Sequence, residues 1–322
     1  MFIIKYLCLS LLSVLGAQAQ AQAQGYPSKT VRIIVGFPPG GATDIATRAI
    51  AQKLTESLGQ QVIVDNRPGA ASNIGAELAS RAAPDGYTLC MGSVSLSINP
   101  SLYSKLAYDP LRDLAGVAHV VTTPFLLVTH PSMPVNNVKA FIAFAKARPG
   151  QVNYVTAGAG SGAHLFMELF SSLAGVKMMS VHYKGQAAAT TDVLAGQVPA
   201  QFDNIITLYP LSKMGKLRAL GVSTAQRSPL APEVPTVAEA GVPGYDADAW
   251  FGLFVPAGTS RDIIVRLNAD VMKGLQATDM RERLRGFGAT AGSGTPEQFN
   301  ALFRNELAKW AKVVKAAGVR VD

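Results

Sequence analysis

The chain has 322 residues, a formal net charge of +8, and 16% charged against 48% hydrophobic residues. Its cations are scattered, "RERLR" at 281–285 being the one dense group, with neither aromatic interleaving nor zinc-ligand spacing, so no nucleic-acid partner is expected. Of the two cysteines one falls in a leader segment, which excludes an internal disulfide in the chain that follows it.

The leader, residues 1–24, reads "MFIIKYLCLSLLSVLGAQAQAQAQ". It has one early cation, Lys5, an apolar stretch from Tyr6 to about Leu15, and small residues spaced as Ala-x-Ala, the form of a secretory signal peptide. Cleavage after Ala19, Ala21 or Ala23 fits the repeat. The apolar run is shorter than the roughly 20 residues a bilayer span needs, and no lipobox leads up to Cys8. The remaining chain is therefore expected in the periplasm. At roughly 300 residues it exceeds the usual single-core size, so two lobes are expected.

After the leader, strands and helices alternate. "TVRIIVGF" is β-branched, apolar and ended by Pro and Gly, a buried strand. "ATDIATRAIAQKLTESLG" carries a helical stripe through Ile45, Ile50, Leu54 and Leu58, closed by Gly59. "QVIVDNRPGA" reads as a strand into a turn, "ASNIGAELASRAA" as a helix stopped before Pro84, and "YTLCMGS" as a third strand with Cys90 in the core. A βαβαβ unit of this kind implies a parallel sheet with helices on its faces.

The pattern restarts between about residues 125 and 225. "FLLVTH" reads as a strand and "VKAFIAFAKARPG" as a helix, followed by the strand and loop "VNYVTAGAGSGAH" and the helix "LFMELFSSLAG". "MMSVHYKG", "AAATTDVLAGQ" and "PAQFDN" then give strand, helix and strand. The Pro-rich stretch 226–245 reads as a surface connection, "WFGLFVPAGT" as one more strand, and 260–322 as mostly helical, packing back on the first lobe. The expected division is 25–124 plus 245–322 for one lobe and 125–244 for the other, with crossings near 122–126 and 225–250.

Each unit has a Gly-rich strand-to-helix loop, "GFPPGGATD" at 36–44 and "TAGAGSGAH" at 156–164. Open α/β sheets bind ligands at that end of their strands, and a helix N-terminus offers unpaired N–H groups with about half a positive charge. In the first loop Pro38 and Pro39 stiffen the chain, Gly40 and Gly41 bare the amides, and Thr43 can cap the helix or bind a ligand oxygen. Asp44 reads as structural, or as a holder of water or of a ligand ammonium. The second loop offers Gly160, Ser161 as a hydroxyl donor, and His164. Asp203, at a strand end in "QFDN", can face the cleft or begin a turn.

Enzymatic readings fare worse. "GAGSGA" fits a dinucleotide fingerprint, but the following strand ends in Tyr183 and Lys184 where an acid should bind the ribose. There is no G-x-S-x-G elbow, and His119, His130, His164 and His182 show no metal spacing. Ser161 and His164 are explained as well by a capping serine and a helix-face histidine as by a catalytic pair. No cofactor and no metal are expected.

Taken together, "IIVGFPPGGATD", "VDNRPGAASNIGA", "APDGYTL", "TAGAGSGAHL", "VHYKGQAAATTDVLAGQV" and "VPTVAEAGVPGY" resemble the Bug, or TctC-like, family over essentially all the chain after the leader. These are extracytoplasmic solute receptors of tripartite tricarboxylate transporters. The resemblance implies an α/β two-lobed periplasmic binding protein, a Venus flytrap, that is not an enzyme. It would close on a small carboxylate (a dicarboxylate, tricarboxylate, acidic amino acid or aromatic acid) and pass it to integral-membrane permease subunits. A ligand sensor feeding a signalling partner uses the same architecture, and a secreted α/β enzyme is the weaker alternative. The ligand-binding positions it implies are Phe37, Pro38, Pro39, Gly40, Gly41 and Thr43 in one loop and Ala159, Gly160, Ser161 and His164 in the other. Ser93 and Asp203 join them by position at strand ends, and Asn73 is expected near the cleft. With no arginine in either loop, the anion would be held by oriented dipoles instead of a fork–fork ion pair.

Overall fold

The computed structural model describes residues 25–320, so the expected signal peptide lies outside them. The first unit runs β1 (Val31–Val35), α1 (Ala42–Leu58), β2 (Val62–Asn66), α2 (Asn73–Ser80), β3 (Thr88–Ser93) and α3 (Val94–Leu102). β1 pairs parallel with β2 on one side and with β3 on the other. α1 buries Ile50, Leu54 and Leu58 against this sheet and stops where Gly59 turns left-handed at φ 66 and donates its N–H to Thr55 O.

β4 (Leu114–Thr129) leads into the second unit. There follow α4 (Val138–Lys146), β5 (Asn153–Thr156), α5 (Gly162–Ala174), β6 (Met179–His182), α6 (Gln186–Leu194), β7 (Ala200–Asn204), α7 (Ile205–Lys213) and β8 (Arg218–Val222). β5 pairs parallel with β6 and β7. The chain then returns as β9 (Asp248–Pro256), inserted antiparallel between β3 and β4, before α8 (Arg261–Gln276), α9 (Thr278–Gly286), β10 (Thr290–Ala291) and α10 (Pro296–Ala317). A capping box between Thr295 and Gln298, with Pro296 in the first turn, starts that last helix.

The sheet runs continuously as β2-β1-β3-β9-β4-β7-β5-β6, and β4 is where it changes hands. Residues 114–124 of β4 pair with β9, 125–129 with β7 and 126–129 with β8. Only "FLLVTH" was legible as strand because Pro124, which has no N–H, looks like a strand breaker; it sits where the pairing partner changes and a ladder bond can be spared. The two nine-residue helices α3 and α7 were not foreseen either. Each contains a proline, Pro100 or Pro210, and α3 is buried on nearly every side, so it has no polar face to give a period.

Behind the sheet junction, Phe125, Phe166 and Phe202 cluster with Trp310 of α10, whose indole stacks on Phe166 at 5.2 Å and 15°. α10 thus closes the back of both halves. Cys90 of β3 is buried, and burial pushes its thiol up to about 12. Among the described residues no helix is long and apolar enough to cross a membrane.

Candidate ligand-binding site

Five helices start at one point. α1, α3, α5, α6 and α7 begin after Gly41, Ser93, Ser161, Gly185 and Asn204, and all five of these residues line a single cavity of about 230 Å³. In four of the five the residue before the helix supplies no side-chain cap; only Ser161 does, accepting from the His164 backbone N–H at 3.3 Å. First-turn N–H groups and aligned dipoles of this kind can hold an anion without an arginine. Its middle is apolar, with Phe37, Pro38, Phe125, Ala163 and Phe251 on the walls.

Phe37, Pro38, Pro39, Gly41 and Thr43 line the cavity, as do Ser93, Ser161 and Asp203. The other candidates do not line it, and each has other work. Gly40, at φ 85, donates its N–H to Asp44 Oδ2 at 3.1 Å. The same carboxylate takes Arg48 Nε at 3.0 Å and Asn66 Nδ2 at 3.0 Å, and Asn66 also donates to Phe37 O. Burial alone would raise the Asp44 carboxyl, but these donors outweigh it and hold it below the usual carboxylate range. Asp44 therefore braces the first loop from behind.

The second loop is braced in the same way. Gly160 N–H donates to His164 Nδ1 at 3.2 Å, so the ring faces the loop backbone and makes no hydrogen bond to the Ser161 hydroxyl. Burial, helped by neighbouring His182, pushes that imidazole down to about 4, so it stays neutral and able to accept. Ala159 presents its carbonyl to Tyr103 OH at 3.2 Å. Asn73 is also withdrawn from the cavity, its Oδ1 accepting from Asn99 Nδ2 at 2.8 Å and Tyr108 OH at 2.9 Å.

A third loop, "YKGQ" at 183–186, was missed. Lys184, Gly185 and Gln186 all line the cavity, with Lys184 its one cation, exposed at the rim. Gln186 Oε1 accepts the Ala42 N–H at 3.2 Å across the cleft while its Nε2 bonds Thr207 Oγ1, and Pro38 packs against Gly185. A glycine followed by a helix after the strand "MMSVH" was the available sign, since the other two loops share that arrangement. Asn204 was likewise missed, although it is the residue next to Asp203.

The comparisons with known proteins agree with this geometry. Residues 46–319 match the family described as tripartite tricarboxylate transporter family receptor. The chain belongs to that family. This receptor is similar to protein BugT of Bordetella pertussis, at 38% identity over 312 residues and 96% of each chain. Among solved structures it resembles R. palustris Rpa4515 with adipate, at TM-score 0.89 and 37% identity over 92% of this chain and 99% of that one. MatC from Rhodopseudomonas palustris with bound malate gives TM-score 0.86 and 33% identity, over 90% and 100%. The two-lobed α/β periplasmic-binding-protein fold is thus established for the receptor, whose relatives are binding proteins.

Gly160 lies at φ 83, and a Cβ there would stand 2.6 Å from Leu102 Cδ2 of α3. Gly160→Val is therefore expected to cost about 2 kcal/mol of folding stability from backbone strain and crowding. Urea unfolding reads this directly; an unchanged midpoint would show that the loop does not need the left-handed turn.

Proposed function

We propose that this protein is a periplasmic receptor that closes its two lobes on a small carboxylate and delivers it to the membrane subunits of a tripartite transporter. The observation that carries the reading is the convergence of five helix N-termini, four of them without a cap from the preceding side chain, on one cavity. Lys184 at the rim adds to the attraction for an anion. Adipate in Rpa4515 and malate in MatC support a dicarboxylate of about four to six carbons. The leader at 1–24 supports export, and the change of strand partner at Pro124 and Phe125 supports a lobe boundary near 124.

Gln186 acts as the latch. It ties the first turn of α1 to α7 across the cleft, so removing it weakens the closed form without removing a wall of the apolar pocket. Calorimetric titration with dicarboxylates of four to six carbons should give saturable binding. Gln186→Ala should bind the same acid about tenfold more weakly, because the hydrogen bond to the Ala42 N–H, the one Gln186 makes across the cleft, is lost. Small-angle scattering should show the variant more open before ligand is added. Absence of binding by every acid of the series would sink the receptor reading.

A further inference from the structure

The cavity holds more hydrogen-bond acceptors than an anion site requires. Asp203 is the one acid among its lining residues and is 3% exposed. Its Oδ1 accepts from the Asn204 backbone N–H at 2.8 Å and from Asn204 Nδ2 at 3.3 Å, while its Oδ2 has no partner. Asn204, 6% exposed, turns its NH2 toward Asp203, and this leaves its Oδ1 as the free end, also unpartnered. Ser93 Oγ, a third unpartnered atom on the lining, is a hydroxyl and can serve an acceptor or a donor.

A fully ionised plain dicarboxylate brings acceptors only. The helix N-termini and Lys184 suit it, but it would leave Asp203 Oδ2 and Asn204 Oδ1 buried without a donor and would set a carboxylate against a carboxylate. Each orphaned acceptor carries a desolvation penalty, and a site built around such groups rejects the ligand that cannot pair them. Asp44 cannot share this role, because Arg48, Gly40 and Asn66 saturate it.

We propose that Asp203 and Asn204 form a donor-reading subsite, so that the receptor selects an acid bearing an amino or hydroxyl group beside a carboxylate over the plain dicarboxylate of the same length. The proposal rests on the carboxylate-receptor reading above. An ammonium fits best, since it pairs both acceptors and neutralises the one buried acid. Burial holds the empty carboxyl up at about 6, against the opposing hydrogen bonds from Asn204, and no lysine or arginine contributes to it.

The test is calorimetric titration of the full mature chain at pH 7.5 with matched acids: succinate, malate and aspartate, then the five- and six-carbon trios with the same groups. Within the length that binds, the substituted acid should bind about 10- to 100-fold tighter than the plain one. In Asp203→Asn, which keeps the Asn204 hydrogen bonds and places an NH2 at the free position, that preference should collapse to a few-fold while the plain acid binds as well or better. The amino acid binding tightest identifies Asp203 as a counter-ion; the hydroxy acid binding tightest identifies it as a neutral-ligand acceptor, and either supports the subsite. Equal affinity for plain and substituted acids overturns it, as does an equal loss for both in Asp203→Asn, the pattern of a carboxylate that only orders a bridging water. If no acid binds, the carboxylate reading itself falls and the subsite with it.

Discussion

Gly36→Ala should lower the unfolding free energy by about 3 kcal/mol, the upper end of the usual cost of overpacking. A Cβ at Gly36 would lie 2.3 Å from Ser72 Cβ, 2.6 Å from Ser72 Cα and 2.9 Å from Ser72 O. Two of these are backbone atoms, so no rotamer change relieves the clash. The neighbour is also already constrained. Ala70, Ala71 and Ser72 lie at φ 46, 49 and 77, three successive non-glycine residues in the left-handed region, where each costs about 1–2 kcal/mol. Further displacement has to work against that strain. From the other side, a Cβ on Gly75 would come within 2.9 Å of Gly36 Cα. The segment "NRPGAASNIG" thus interlocks with the end of β1 and sets the base of the loop at 37–41. Weaker ligand binding should accompany the loss of stability. Urea unfolding decides the matter: an unchanged midpoint would mean that residues 70–75 move aside freely.

Asp203→Asn should act in the opposite direction on the ligand-free protein, stabilising it by up to about 3 kcal/mol at pH 7.5. Burial raises the folded carboxyl from its ordinary 3.8 to about 6. Between those two values the folded state binds more protons than the unfolded state, so stability falls as pH rises and is level above the upper one. Asparagine does not titrate, so the advantage of the variant should be full at pH 7.5, shrink through the interval, and vanish by about pH 3. The difference between variant and wild-type urea midpoints at several pH values cancels every other titration. A difference independent of pH would show that Asp203 carries no such penalty. A stabilising change that erases ligand discrimination is the usual sign of a group retained for function at a cost to the fold.

Most of the strands of the two units and the two glycine loops could be read from the sequence because strands such as "TVRIIV" and "VNYVT" are apolar runs ended by Gly or Pro, a pattern that depends on neighbours in the chain. β9 is different. Its sequence shows a strand, but nothing local shows that Trp250 to Phe254 insert between β3 and β4, because that pairing joins segments far apart. The same limit applied to the site. Ser93 and Asp203 were found by their position at strand ends and Phe37 through the family resemblance, whereas His164 and Asp44 stood in the right loops with their side chains turned to brace them. Orientation within a loop depends on partners such as Arg48, Asn66 and the Gly160 amide, which no spacing rule supplies. Gln186 was missed for the converse reason: its role exists only when the α1 N-terminus lies across the cleft from it.

The burial of Cys90 has a practical consequence. It is the one cysteine among the described residues, and with its thiol raised to about 12 it is not a nucleophile at neutral pH. Maleimide labels placed on introduced cysteines will therefore report from those positions alone. Val265 and Met214 are 45% and 62% exposed, on α8 and just beyond α7, and are natural places for such a pair. A donor and acceptor dye there would turn the proposed lobe closure into an optical signal, readable while any acid is titrated and before its identity is known.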